Sequence, residues 1–159
     1  MSRNFLVVQV LFLSFICASL IGAAPLFTLQ NLMWKWGKQT KIERSDEKIK
    51  VFSPVDDDTA GIATAPHAVS PGSTCRITFE VRGDVRLEAM VVWNKGGKNG
   101  MRKDYIRPTA LNEEWKKITA EVRIPEDKDQ LATALFFYHQ SGWFEVRNFQ
   151  LKVLMSESK

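Results

Sequence analysis

Two cysteines and two histidines are all that the 159 residues contain of either type. Cys17 falls inside an apolar leader, so Cys75 is the only thiol in the rest of the chain. One thiol closes no intrachain disulfide, and His67 and His139 stand too far apart in sequence to make a metal-ligand motif with it. Local signatures of catalysis are missing too. There is no Gly-x-Ser-x-Gly elbow, no glycine loop for phosphate and no His-Glu-x-x-His helix, and no enzymatic activity is expected. Nor is there a concentrated basic stripe. The net charge is +4, but acids and bases alternate, as in Lys41-Ile42-Glu43-Arg44, which argues against a nucleic-acid partner. The densest basic stretch, Lys95 to Lys103, is a Gly-rich loop. Asp56-Asp57-Asp58 lacks the spaced oxygen ligands of a cation loop and reads as a solvated turn.

What the chain does have starts at its first residues. Arg3 precedes an apolar run from Phe5 to Ile21, then Gly22, Ala23 and Ala24, the three parts of a secretory signal. Cleavage after Ala23 is expected, giving a signal peptide over 1–23 and a secreted or periplasmic product. No later apolar run reaches spanning length, so no membrane contact is expected beyond the signal segment.

The remainder reads with period two. In Thr74 to Val81, Cys75, Ile77, Phe79 and Val81 share one side and Thr74, Arg76, Thr78 and Glu80 the other: a strand with one buried and one wet face. Lys117 to Ile124 repeats the pattern with Ile118, Ala120, Val122 and Ile124 inward. Phe144 to Leu154 repeats it with a slip near Asn148, the mark of a bulge. Leu87 to Asn94 and Leu131 to Gln140 are apolar on both sides, as in a sheet whose outer face is covered or binds something. Shorter strands are expected at 48–52, 61–65 and 104–107. Turn signals such as Pro71-Gly72, Asn99-Gly100 and Ser141-Gly142 separate these runs, with no long amphipathic helix between them. The pattern predicts an all-β sandwich or barrel over 48–159. Residues 24–47 are expected to pack on it, and Leu26 to Trp36 fits a helical stripe or a first strand equally well.

Several segments carry a family resemblance. Val69-Ser70-Pro71-Gly72-Ser73-Thr74-Cys75-Arg76-Ile77-Thr78-Phe79 has the Pro-Gly-led strand start, with Cys75 where an aromatic is usual. Val91-Val92-Trp93-Asn94-Lys95-Gly96-Gly97-Lys98 gives a strand and its hairpin. Glu114-Trp115-Lys116-Lys117-Ile118 opens a Trp-led strand that ends at Ile124-Pro125-Glu126. Trp143 to Leu151 gives the closing strand. Over Lys48 to Leu154 the chain resembles carbohydrate-binding modules of the galactose-binding-like jelly-roll superfamily, the kind appended to xylanases. The resemblance implies a jelly-roll β-sandwich and a carbohydrate partner; function drawn from such a fold is analogy. Arg147 stands where the family often has an Asp that helps hold a structural calcium, which argues against calcium there. No other cofactor is expected.

On that fold the two doubly apolar strands lie in the concave sheet, with Glu88, Met90, Asn94, Phe136, Tyr138 and Gln140 on its outer face and Trp143 in the adjoining hairpin loop. A sugar ring stacks its C–H face on flat aromatics and needs planar polar groups for its hydroxyls. The expected carbohydrate-binding residues are therefore Tyr138, Trp143, Gln140, Asn94, Glu88 and Trp93. Trp93 is counted with them although it shares a side with Leu87, Ala89 and Val91, the pattern of a core position. Trp115 is expected in the core. Trp34 and Trp36, if on a strand, share a face; packing over the sandwich edge is the expectation, an aromatic platform the alternative. The competing functional reading is an envelope or extracellular interaction module that buries the same apolar face against a partner protein.

Overall fold

Alternating side chains become paired strands because each run has one face to hide and a backbone that must find partners. The computed structural model describes residues 25–56, 59–95 and 98–154, with the backbone alone at 95, 98–105, 107 and 108. The signal segment, and Asp57 and Asp58 of the acidic turn, lie outside the described residues. Twelve strands are present among those described: β1 Phe27–Thr28, β2 Leu32–Trp36, β3 Lys41–Arg44, β4 Lys48–Ser53, β5 Thr59–Thr64, β6 His67–Ala68, β7 Thr74–Gly83, β8 Arg86–Lys95, β9 Lys98–Ala110, β10 Lys116–Arg123, β11 Gln130–Tyr138 and β12 Gly142–Leu154. A short 3-10 turn, Leu29–Asn31, links β1 to β2. No helix among the described residues is long and apolar enough to cross a membrane.

The strands form two antiparallel sheets. Sheet I runs β10-β7-β12-β4-β3 with β1 added on β12; sheet II runs β2-β5-β11-β8-β9 with β6 added on β11. They face each other across one core, a β-sandwich of the expected jelly-roll type. From sheet I come Ile77, Phe79, Val81, Phe144, Val146 and Phe149; from sheet II come Leu87, Ala89, Val91, Trp93, Leu135 and Phe137. Each large side chain fully withdrawn from water contributes about 1.5–3 kcal/mol, so this layer dominates stability. Burial also pushes the Cys75 thiol up to about 11, which leaves it a protonated core filler.

Three sequence expectations meet particular outcomes here. The slip near Asn148 is a bulge: the β12–β7 register shifts between Arg147 and Gln150, and Asn148 takes φ 52°. That shift lets Val146 and Phe149 both reach the core. The segment before Lys48 does not lie on a finished sandwich but is woven into it, because β1 and β3 pair within sheet I and β2 within sheet II. Trp115 is not in the core. It is half-buried on the outer surface of sheet I, with the Arg82 guanidinium 4.8 Å and the Arg147 guanidinium 4.1 Å from its ring centre.

Candidate functional site

The outer face of sheet II follows from strand register. β11 pairs Phe136 with Gly61 on one side and Glu88 on the other; one step along, it pairs Ala134 with Ala63 and Met90. β2 sets Trp36 opposite Gly61 and Trp34 opposite Ala63. Two rows therefore cross the sheet, Trp36–Gly61–Phe136–Glu88 and Trp34–Ala63–Ala134–Met90. Small residues on β5 let the tryptophans lean inward. Gly61 is required there: a Cβ would stand 2.5 Å from the Phe136 Cβ. Across it the Trp36 and Phe136 rings meet edge to face at 5.4 Å, and Phe136 stacks beside Tyr138 at 6.1 Å.

Met90, Ala134 and Phe136 form a second apolar cluster, separate from the main core, flanked by Ala63 and Val92. Above it opens a groove of about 340 Å³ walled by Trp34 and Trp36 and reaching Val92, Asn94 and Ala132. Trp34 is 63% exposed, Trp36 39% and Tyr138 44%. Exposed aromatics gathered over an apolar groove make a contiguous patch of the kind that marks interaction sites. A larger hollow, about 520 Å³, lies around the Asn148 bulge, with Asp46, Glu47 and Arg147 on its walls but no exposed aromatic ring. It lacks the flat surface that sugar stacking needs.

The expected site residues divide. Tyr138, Asn94 and Glu88 lie on the outer face of sheet II, as does Gln140 at its end. The amide of Gln140 is engaged with the backbone, its Oε1 accepting from Arg86 N at 2.9 Å. Trp93 must be withdrawn as a ligand residue: it is fully buried among Leu87, Ala89 and Val91, with no face free for a sugar. Trp143 must be moved. It belongs to β12, not to the hairpin loop, and pairs with Phe52 on sheet I, where Lys50 Nζ stands 5.0 Å above its ring. It lies on the opposite outer face from Tyr138, so a sugar chain lying on sheet II alone does not touch it. Trp34 and Trp36 form the platform that had been the alternative, because β2 is the edge strand of sheet II. The signal in the sequence was their i, i+2 spacing.

Other groups settle simply. Glu80 and Glu145 project from sheet I and Glu88 from sheet II, so Glu88 faces a common cleft with neither. Lys48 and Arg82 hold Glu145 through contacts of 2.6 and 2.7 Å. Burial alone would raise the Glu145 pKa, but those two hydrogen-bonded cations hold it below the ordinary carboxylate value. Arg147, at the position discussed for calcium, bonds to Glu80 at 2.7 Å and lowers that carboxyl likewise. Among the described residues no group of three or more His, Cys, Asp or Glu could hold a metal ion. Both histidines are exposed; His67 packs against Phe27 and His139 against Tyr138.

Comparison with solved structures finds the same two-sheet jelly-roll fold in carbohydrate-binding modules. The N-terminal cellulose-binding domain of Cellulomonas fimi β-1,4-glucanase C aligns over 84% of this chain and 99% of its own, with a TM-score of 0.59 and 13% identity. TmCBM61, solved with β-1,4-galactotriose, aligns over 83% and 100%, with a TM-score of 0.52 and 11% identity. The enzymatically active domain of tailspike protein 4 from bacteriophage CBA120 gives a TM-score of 0.65 at 10% identity over 76% of this chain, which spans only 19% of that protein. At these identities the likeness is one of fold. No protein-family model and no curated protein matches the chain.

Proposed function

We propose that this is a non-catalytic carbohydrate-binding module of an exported protein, which takes a poly- or oligosaccharide on the outer face of sheet II. Trp34, Trp36 and Tyr138 stack on sugar rings, and Asn94 and Glu88 bond to hydroxyls. One observation carries the reading: two exposed tryptophans stand side by side over an apolar groove, on the face that the doubly apolar strands β8 and β11 build. The signal-like leader supports a secreted or periplasmic location. The test is calorimetric titration of the domain with cello-, xylo- and β-1,4-galacto-oligosaccharides, backed by pull-down on insoluble polysaccharides. Replacing Trp34 and Trp36 together by Ala is expected to weaken binding at least about tenfold, since each lost stack is worth about 0.5–1.5 kcal/mol beyond its area. A folded domain that binds none of these sugars sinks the proposal.

One feature favours the interaction-module reading. β2 ends sheet II with its outer edge unpaired among the described residues, and Met33 on it is 68% exposed. Such an edge can accept another strand. Concentration-dependent association that is lost with Trp34→Ala, in a domain deaf to sugars, would establish that reading instead.

A further inference from the structure

The groove explains how a sugar would be held but gives little basis for choosing one, because most of its lining is apolar. The choosing chemistry lies at the other end of the face. Outward positions along β8 run Arg86, Glu88, Met90, Val92, Asn94: two charges, then the apolar floor, then one amide. Arg86 and Glu88 border a separate hollow of about 250 Å³ with Tyr138 and Gln140.

We propose that this hollow is a second subsite, which reads the hydroxyls of one neutral sugar unit and sets the specificity of the groove beside it. The inference rests on the carbohydrate reading and adds a sugar class and a specificity-setting pair. Glu88 is only 9% exposed, yet it borders the hollow; the Arg86 side chain is 67% exposed. Arg86 Nε and Glu88 Oε1 are 4.0 Å apart, beyond hydrogen-bond length but close enough to balance each other's charge. The two thus form an acceptor and a donor set side by side. A vicinal diol can donate to Glu88 and accept from Arg86, making charge-assisted hydrogen bonds at both ends. The half-exposed Tyr138 ring supplies the stacking face beside them.

Gln140 acts as a positioning residue. Its Oε1 accepts from Arg86 N at 2.9 Å and its Nε2 donates to Tyr138 O at 3.3 Å, so one amide ties the start of β8 to the end of β11. It fixes the relative placement of the two residues that would touch the sugar. The subsite favours neutral units, because Arg86 and Glu88 already balance each other and a uronate carboxylate would add a negative charge with no counter-charge left for it. Trp34 and Tyr138 lie four residues and two strands apart in register, about 17 Å by ordinary strand spacings. An oligosaccharide, not a monosaccharide, is needed to engage both.

The experiment titrates the whole domain, its Glu88→Gln and Arg86→Gln variants, and Trp34→Ala, with neutral galacto- and cello-oligosaccharides of increasing length and with oligogalacturonate. Glu88→Gln is isosteric and Arg86 is exposed, so both variants are expected to fold. Each should bind the best neutral ligand about tenfold more weakly, the loss of one hydrogen bond to a charged group, and gain less from added sugar units than wild type does. Oligogalacturonate should bind wild type more weakly than its neutral counterpart, and Glu88→Gln should narrow that gap. If wild type binds neutral sugars, loses them with Trp34→Ala, and both charge variants match it within twofold, the subsite is wrong and the module reading stands. Preference for oligogalacturonate overturns the neutral class. Absence of all sugar binding by wild type overturns the module reading and this inference with it.

Discussion

The two outer faces of the sandwich have opposite chemistry, although both carry aromatic rings. On sheet I the rings are capped. Trp115 lies against Arg82 and Arg147, Trp143 under Lys50, and Phe52 under Lys41 at 5.9 Å. Around them acids and bases pair strand to strand, Lys48 and Arg82 on Glu145, Arg147 on Glu80, Arg76 on Glu121. On sheet II no cation is recorded over the rings of Trp34, Trp36 or Tyr138 among the described residues, and the groove beside the two tryptophans is lined mostly by apolar side chains. An aromatic offers its π face to a ligand only when no cation already occupies it. Exposure of the ring face, rather than mere presence of tryptophan at the surface, separates a binding face from a solvated one.

The strongest way to press that comparison is through β8 and β2, which hold tryptophans in opposite roles. Trp93→Ala empties a fully buried site and is expected to cost about 3–5 kcal/mol in urea unfolding. Trp34→Ala removes a ring that is mostly in water, and is expected to move stability by no more than about 0.5 kcal/mol while weakening sugar binding. Equal losses of stability in the two would mean that Trp34 is a structural cap and that sheet II has no open platform.

These two residues also mark where the sequence could be read and where it could not. Period-two alternation identified β7, β10 and β12, and the slip at Asn148 marked the bulge, because those are local consequences of the pleat. It put Glu88, Asn94 and Tyr138 on one face for the same reason. Alternation says which residues share a side, and on β8 it put Trp93 with Leu87, Ala89 and Val91; the structure follows that pattern, against the count of Trp93 among the ligand residues. Trp143 sits one residue inside a strand rather than in a turn, and its sheet is set by pairing with Phe52 about ninety positions away. Trp115 is expected in the core from its place at the head of a strand, and its actual covers, Arg82 and Arg147, are distant in sequence. Arg86 carries no signal in the sequence, since its hollow exists only once β8 and β11 are side by side.

Sheet I can be tested by pH. Glu145 is held below the ordinary carboxylate value near 4.5, so its contribution to stability is complete above that pH and is lost as pH falls through its lower folded value. Glu145→Gln is expected to cost about 1–2 kcal/mol at neutral pH. That is less than a deeply buried pair would lose, because Lys48 and Arg82 keep 42% and 32% of their side chains in solvent. The variant should also show a shallower fall in stability below about pH 4.5 in acid titrations followed by circular dichroism. Sugar binding at neutral pH should be unchanged, since Glu145 faces away from the groove.

The smallest expected effect is the most discriminating one. Trp143 and Tyr138 are both partly exposed aromatics near the ends of consecutive strands, and a surface census would treat them alike. Trp143 carries Lys50 over its ring and Phe52 beside it in register, so Trp143→Ala gives up one exposed cation–π contact and some packing, about 0.5–1 kcal/mol. Its effect on sugar affinity should be nil, because a chain lying on sheet II never reaches sheet I. Tyr138→Ala should do the reverse, leaving unfolding nearly unchanged and weakening the longest oligosaccharides more than the short ones, since only a long chain reaches from Trp34 to Tyr138. Parallel calorimetry on the two variants decides between a one-faced and a two-faced module. Equal loss of affinity in both would require the ligand to wrap the hairpin between β11 and β12, and the site would then centre on the sandwich edge instead of the groove.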